Sequence, residues 1–193
     1  MLFALKRSPG PALLLLVVFV VAALAGKSAL DLTWRREIGP QALGLGILAL
    51  AASDGLLHGL LTLVLHQRYV SRYRALVEYF RPQGVAAILA GGLLAGGEEL
   101  LFRGVFLEGL RTRAGLPDAA AVAVVALVFG LLHTIPDRTL APFALWAVWE
   151  GALLGTVYVL SDSLGTVVVL HALHDVIGFS LFAVQRRTGW LLG

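Results

Sequence analysis

The chain has no cysteine, which excludes disulfides, a thiolate nucleophile and any Cys-ligated metal. Charge is scarce as well. Asp, Glu, Lys and Arg make up 14% of the 193 residues, where soluble domains carry roughly 25%. Such a chain is neither a solvated disordered tail nor a soluble globular domain. Proline occurs only seven times, and no internal repeat or low-complexity tract interrupts the sequence, so a fibrous architecture is excluded too. What fills the chain is apolar: 59% hydrophobic residues and a mean hydropathy of +0.87. The composition is that of an integral membrane protein.

A net charge of +3 does not point to nucleic acid, because the basic residues lie between or beyond the apolar runs, as helix-flanking anchors do. A helix crosses about 30 Å of hydrocarbon in roughly 20 residues. Six segments qualify: about Pro11–Ala25, Gln41–His66, Gly84–Leu110, Asp118–His133, Ala141–Leu160 and Leu164–Val184. All must be helices, since open strands leave their backbone unsatisfied in lipid. The predicted fold is an all-α polytopic bundle with a polar intramembrane site. Residues 1–83 supply N-terminal helices and an interfacial connection (about Gln67–Gln83), residues 84–184 the core, and residues 185–193 a short basic tail. Lys6-Arg7, the first apolar run and Ala23-Leu24-Ala25 imitate a signal peptide, although a retained helix is the favoured reading. With the N-terminus inside, the inner connections hold Lys6, Arg7, Arg68, Arg72, Arg74, Arg81, Arg138, Arg186 and Arg187. The outer ones hold Lys27, Arg35, Arg36, Arg111 and Arg113, so both termini are expected in the cytoplasm. The expected location is a multi-pass position in a plasma membrane, such as a bacterial inner membrane.

Gly55/Gly59, Gly92/Gly96 and Gly151/Gly155 each place small residues one turn apart, which predicts close helix packing. Trp34, Trp146, Trp149 and Trp190 are expected as interfacial anchors.

Ionisable residues within spans are costly, and each is a functional candidate. Glu98-Glu99-x-x-x-Arg103 follows an uncharged stretch. Glu99 and Arg103 are four apart on one helical face, in the order that favours an ion pair. Glu98 then points about 100° away, and a carboxylate withdrawn from water suits a general base. The alternative is a buried ion-pair network that only locks helices. His133 closes the fourth span, where a histidine by itself reads as a helix cap or interfacial residue. Depth alters that: Glu98 and His133 each lie about 16 residues from the Ala114–Pro117 turn, hence roughly 24 Å below it on antiparallel neighbours. They can meet. In His171-Ala-Leu-His174-Asp175, His171 and Asp175 share a face, and an Asp accepting an imidazole N–H would orient the ring. Asp54 and His58 repeat the spacing and read as a pair satisfying each other or a neighbouring helix. Glu150 either lines a cavity or pairs with a histidine.

Glu98-Glu99-x-x-x-Arg103, Phe129-x-x-x-His133 and His171-x-x-x-Asp175, in this order and in membrane spans, resemble the CPBP (Abi) family of intramembrane proteases. That family includes the type II CAAX prenyl endopeptidases. The resemblance covers about Gly84–Phe182 and implies a catalytic Glu98, a supporting pair Glu99 and Arg103, a His133 that shares the water, and His171 with Asp175 facing the substrate carbonyl. It implies an endopeptidase acting near a membrane-embedded or lipidated C-terminal segment, with a membrane-anchored protein or peptide as substrate and the bilayer as surroundings. Asp175 departs from the pattern, since well-known members carry Asn there. An amide can donate, whereas an ionised carboxylate only accepts. Asp175 is then protonated, or orients His171, or binds a metal. Glutamate-activated water without a metal is the favoured chemistry; a zinc ion, if bound, would be held by Glu98, His133, His171 and Asp175. No His-Glu-x-x-His helix is present. The rival functions are a non-catalytic immunity or binding protein using the same pocket, and a small proton-coupled transporter, which the absence of an inverted repeat disfavours.

Overall fold

The computed structural model describes residues 8–82, 84–134 and 143–188. Among these, every regular element is helical: α1 (Pro9–Ala29), α2 (Pro40–Leu65), α3 (Gln67–Tyr79), α4 (Val85–Leu101), α5 (Glu108–Thr112), α6 (Asp118–Leu132), α7 (Phe143–Ser161) and α8 (Leu164–Thr188). A π-helical segment, Phe102–Leu107, joins α4 to α5, so Val85–Thr112 forms one continuous span. Five helices are long and apolar enough to cross a membrane. The chain is an all-α polytopic membrane protein.

The fourth expected span is shorter than its fellows. Helix α6 has 15 residues, about 22 Å of rise against about 30 Å of hydrocarbon. It ends because His133 leaves the helical conformation (φ −92°, ψ 3°). The interfacial connection is itself a helix, α3, separated from α2 by the positive φ of 42° at His66. Lys6, Arg7, Arg138 and Trp190, as well as the start of the fifth span at Ala141, lie outside the described residues.

The core is built around α4. Two-thirds of its span is buried (67%), whereas only 6% of α2 is. Leu94, Ala95, Glu98, Glu99, Phe102 and Arg103 are fully enclosed. Helix α4 packs against α8 and α1, and α6 packs against α7. The small residues explain these two crossings. A Cβ on Gly92 would stand 2.9 Å from the Ala172 carbonyl oxygen, and one on Gly130 2.9 Å from that of Ala144. Only a missing side chain lets the backbones come so near. Gly55 and Gly59 behave otherwise. A Cβ on either meets nothing within 4 Å, so the packing expected of that pair is not there. Gly55 borders a cavity instead.

Lipid-facing apolar residues cover the periphery, among them Leu14, Leu48, Leu56 and Leu131. Trp34 does not serve as a plain anchor: its indole Nε1–H donates to the Gly104 carbonyl, 2.7 Å away, in the π segment. A π turn frees carbonyls from the regular helical ladder and commonly marks functional positions. Here it begins three residues after Glu99 and carries Arg103.

Candidate active site

Helical spacing sets the first contact. Arg103 Nη1 donates to Glu99 Oε1 at 2.7 Å, with both side chains fully buried. Its Nη2 donates to the Gly151 carbonyl of α7, also at 2.7 Å, and the guanidinium lies 5.2 Å from the centre of the Phe129 ring. Arg103 therefore ties α4, α6 and α7 together. Breaking such a pair by removing one partner costs about 3–5 kcal/mol.

Glu98 points to the other side of α4. Its Oε2 lies 3.9 Å from Nε2 of His133, both residues being withdrawn from solvent. His133 Nδ1 lies 2.6 Å from the Phe129 carbonyl. A carbonyl only accepts, so Nδ1 carries the proton and Nε2 of the neutral ring presents its lone pair to Glu98. The side chain is at once a helix-end cap and a partner of Glu98. At 3.9 Å two acceptors do not bond to each other, but one water can donate to both.

His171 finds a partner the sequence did not suggest. Its Nδ1 donates to Glu99 Oε1 at 2.7 Å, so Glu99 serves both Arg103 and His171. Asp175, expected to orient this imidazole, instead stands 4.0 Å from the opposite nitrogen, Nε2. A carboxylate already fixed by Arg103 reaches the ring from α4 better than a residue one turn along α8. Phe129 forms the wall between the two histidines, its centroid 4.1 Å from His133 and 6.0 Å from His171.

A second network crosses three helices. His174 Nε2 lies 2.7 Å from Asp54 Oδ2 on α2, and its Nδ1 lies 2.8 Å from Glu150 Oε1 on α7. Glu150 Oε1 is in turn 3.5 Å from His171 Nε2. Both alternatives for Glu150 hold: it lines the cavity and pairs with a histidine. Of the two readings for Asp54 and His58, the second holds: each is satisfied by a neighbouring helix rather than by the other. Asp54 bonds His174 and His58 bonds the Tyr69 hydroxyl at 2.8 Å. The ligand atoms that gather within 4.8 Å of one another belong to Glu150, His171 and Asp175. Of the four ligands expected for a metal, His171 and Asp175 are in this group; Glu98 and His133 face each other outside it.

These groups open onto a cavity of about 540 Å³ between α2, α3, α7 and α8. His133, His171, His174, Glu150 and Asp175 contribute polar lining, and Leu61, Tyr73, Phe80, Phe143 and Phe182 are among its apolar and aromatic residues. Sequence reasoning missed Phe129 as a wall and Glu99 as the partner of His171, and it did not say which histidine Glu150 would meet. Phe129 had a signal, its place four residues before His133.

A buried ionisable cluster beside a largely apolar cavity, inside a bundle of membrane helices, defines the class: a polytopic membrane protein with a polar intramembrane site. The family follows from comparison. Residues 80–177, just over half of the chain, match the family model of the type II CAAX prenyl endopeptidase Rce1-like proteins, and the chain belongs to that family. The match runs from the end of α3 to within α8 and includes Glu98, Glu99, Arg103, His133, His171 and Asp175. No curated protein and no solved structure matches the chain.

Proposed function

We propose that this CAAX-type intramembrane protease hydrolyses a peptide bond near a membrane-embedded or lipidated C-terminal segment, using water activated by Glu98. The observation that carries the reading is the 3.9 Å gap between Glu98 Oε2 and His133 Nε2. A water donating one hydrogen to each is left with its lone pairs directed away from both. As its oxygen bonds to the carbonyl carbon, Glu98 takes the proton and the carbonyl electrons move to oxygen. The C–N bond then breaks and Glu98 returns the proton to the leaving amine. General-base assistance of this kind contributes about 10²–10⁴ in rate. In the wall formed by His171, Asp175 and Glu150, His171 receives the carbonyl oxygen by donating from a protonated Nε2, while its Nδ1–H stays on Glu99 and Glu99 with Arg103 holds the ring in place. The apolar part of the cavity takes the membrane-embedded chain of the substrate.

The test compares C-terminal peptides from membranes of cells producing the native chain and the Glu98→Gln variant at equal abundance. Shortened C-termini found only with the native chain are the expected result. Identical peptide profiles from the two would overturn the proposal and favour a non-catalytic binding protein.

A further inference from the structure

The same wall has the make-up of a cation site, and its ligands are not those that the sequence suggested. We propose that Glu150, His171 and Asp175 bind one first-row divalent cation of the zinc class, with His174 and Asp54 as its supporting shell. Its binding is independent of the hydrolytic reading. A catalytic role for the ion, as the group that polarises the carbonyl, rests on that reading.

Three observations carry it. The first is spacing. Nε2 of His171 is 3.5 Å from Glu150 Oε1 and 4.0 Å from Asp175 Oδ1, and all three atoms lie within 4.8 Å of one another. Ligands about 2.0–2.2 Å from a tetrahedral zinc ion stand roughly 3.3–3.5 Å apart. Side-chain adjustments of under about 1 Å close the set around one ion. The second is the direction of His171. Its Nδ1–H is given to Glu99, so Nε2, once deprotonated as a metal ligand must be, turns its lone pair into the group, and the side chain is only 2% exposed. A carboxylate holding the far nitrogen is the usual support of a metal-bound histidine. Glu99 is itself anchored by Arg103, which makes the imidazole a rigid ligand.

The third is the support of Glu150. His174 Nδ1 reaches its Oε1 at 2.8 Å, while Nε2 of the same ring meets Asp54 at 2.7 Å. Glu150 is thus backed by a histidine that is itself backed by a carboxylate, as His171 is backed by Glu99 and Arg103. The donors are one nitrogen and two oxygens from α7 and α8, a set suited to zinc, manganese or iron(II) rather than to thiolate-seeking ions. With three protein ligands and a cavity alongside, a coordination position remains open to water or to a carbonyl oxygen, as in catalytic rather than structural zinc sites.

The experiment uses the full chain in detergent, purified on a tag free of histidine and stripped with chelator, then titrated with Zn²⁺ by calorimetry. One equivalent is expected to bind. Glu150→Gln and Asp175→Asn are each expected to weaken it at least tenfold, and His174→Ala by about 10–100-fold as a supporting residue. Glu98→Gln is expected to bind like the native chain, because Glu98 faces His133 outside the group. Circular dichroism and thermal melting of each variant without metal separate lost ligands from lost folding. Zinc should also raise the melting temperature of the native chain and not that of the Glu150→Gln/Asp175→Asn double variant. No binding at micromolar zinc, or binding that survives in a folded double variant, overturns the proposal. So does binding abolished by Glu98→Gln alone. Zinc bound by a protein without turnover would sink the protease reading and leave this one standing; turnover in a metal-free protein that binds no zinc would do the reverse.

Discussion

Glu98 and Glu99 are adjacent, equally buried, and engaged in different tasks. The 100° step of the helix sends one to His133 and the other to Arg103 and His171. Their variants should therefore differ. Glu98→Gln keeps shape and hydrogen-bonding capacity but cannot take a proton. It should lower turnover about 10²–10⁴-fold while leaving the melting temperature nearly unchanged, as read by C-terminal peptide analysis and thermal melting. Arg103→Ala removes the cation from Glu99 and the donor from the Gly151 carbonyl. A loss of about 3–5 kcal/mol is expected, seen as a sharp fall in folded protein in membranes. Arg103→Lys should rescue it poorly, since one ammonium cannot span Glu99 and Gly151 as the two guanidinium nitrogens do.

At the scale of the helices, tight crossings and open space sit on different elements. Gly92→Val at the α4–α8 crossing drives methyl groups against the Ala172 carbonyl and Val176. About 1–3 kcal/mol of destabilisation is expected, measured by thermal unfolding in detergent. Gly178 on α8 lines the cavity, and a Cβ there meets nothing within 4 Å. Gly178→Trp should fill the cavity without unfolding the bundle. Melting near the native temperature with cleavage strongly reduced is the expected outcome. An active Gly178→Trp protein would mean that the substrate does not enter by this cavity.

For the molecule as a whole, the bilayer is the outer layer of the fold. Few residues of helix α2 are buried in protein, and Leu48 is 66% exposed on it. Leu48→Lys should cost about 2.5–3.5 kcal/mol of insertion free energy, observable as protein lost from the membrane fraction. At mid-span α2 is held to the core by the apolar packing of Leu50 on Leu154 and Leu170 and by two polar pairs, Asp54 with His174 and Ser53 with the Trp149 indole. Tight small-residue crossings organise α4 with α8 and α6 with α7, whereas the cavity separates part of α2 from the rest.

Some of this was settled by the amino-acid order alone. The membrane class follows from long runs with almost no charge, because the bilayer core tolerates only self-satisfied helices. The Glu99–Arg103 contact follows from a four-residue spacing, and the level of Glu98 relative to His133 from counting rise per residue on either side of a turn. Those quantities belong to a single helix or a single hairpin, whose geometry is regular. Which atoms meet between helices not joined by one turn was decided only by their packing: Glu99 with His171, Glu150 beside His171, and His174 between Asp54 and Glu150. Helical periodicity fixes the angle between residues on one helix but not its rotation against its neighbours, which depends on how side chains and glycines interlock. Asp175 shows the difference: it shares a face with His171, yet Glu99 from α4 holds the Nδ1 nitrogen and leaves Asp175 facing Nε2. Spacing put the two residues on one side of α8, and the rotamers allowed by the packed core determined which of their atoms meet.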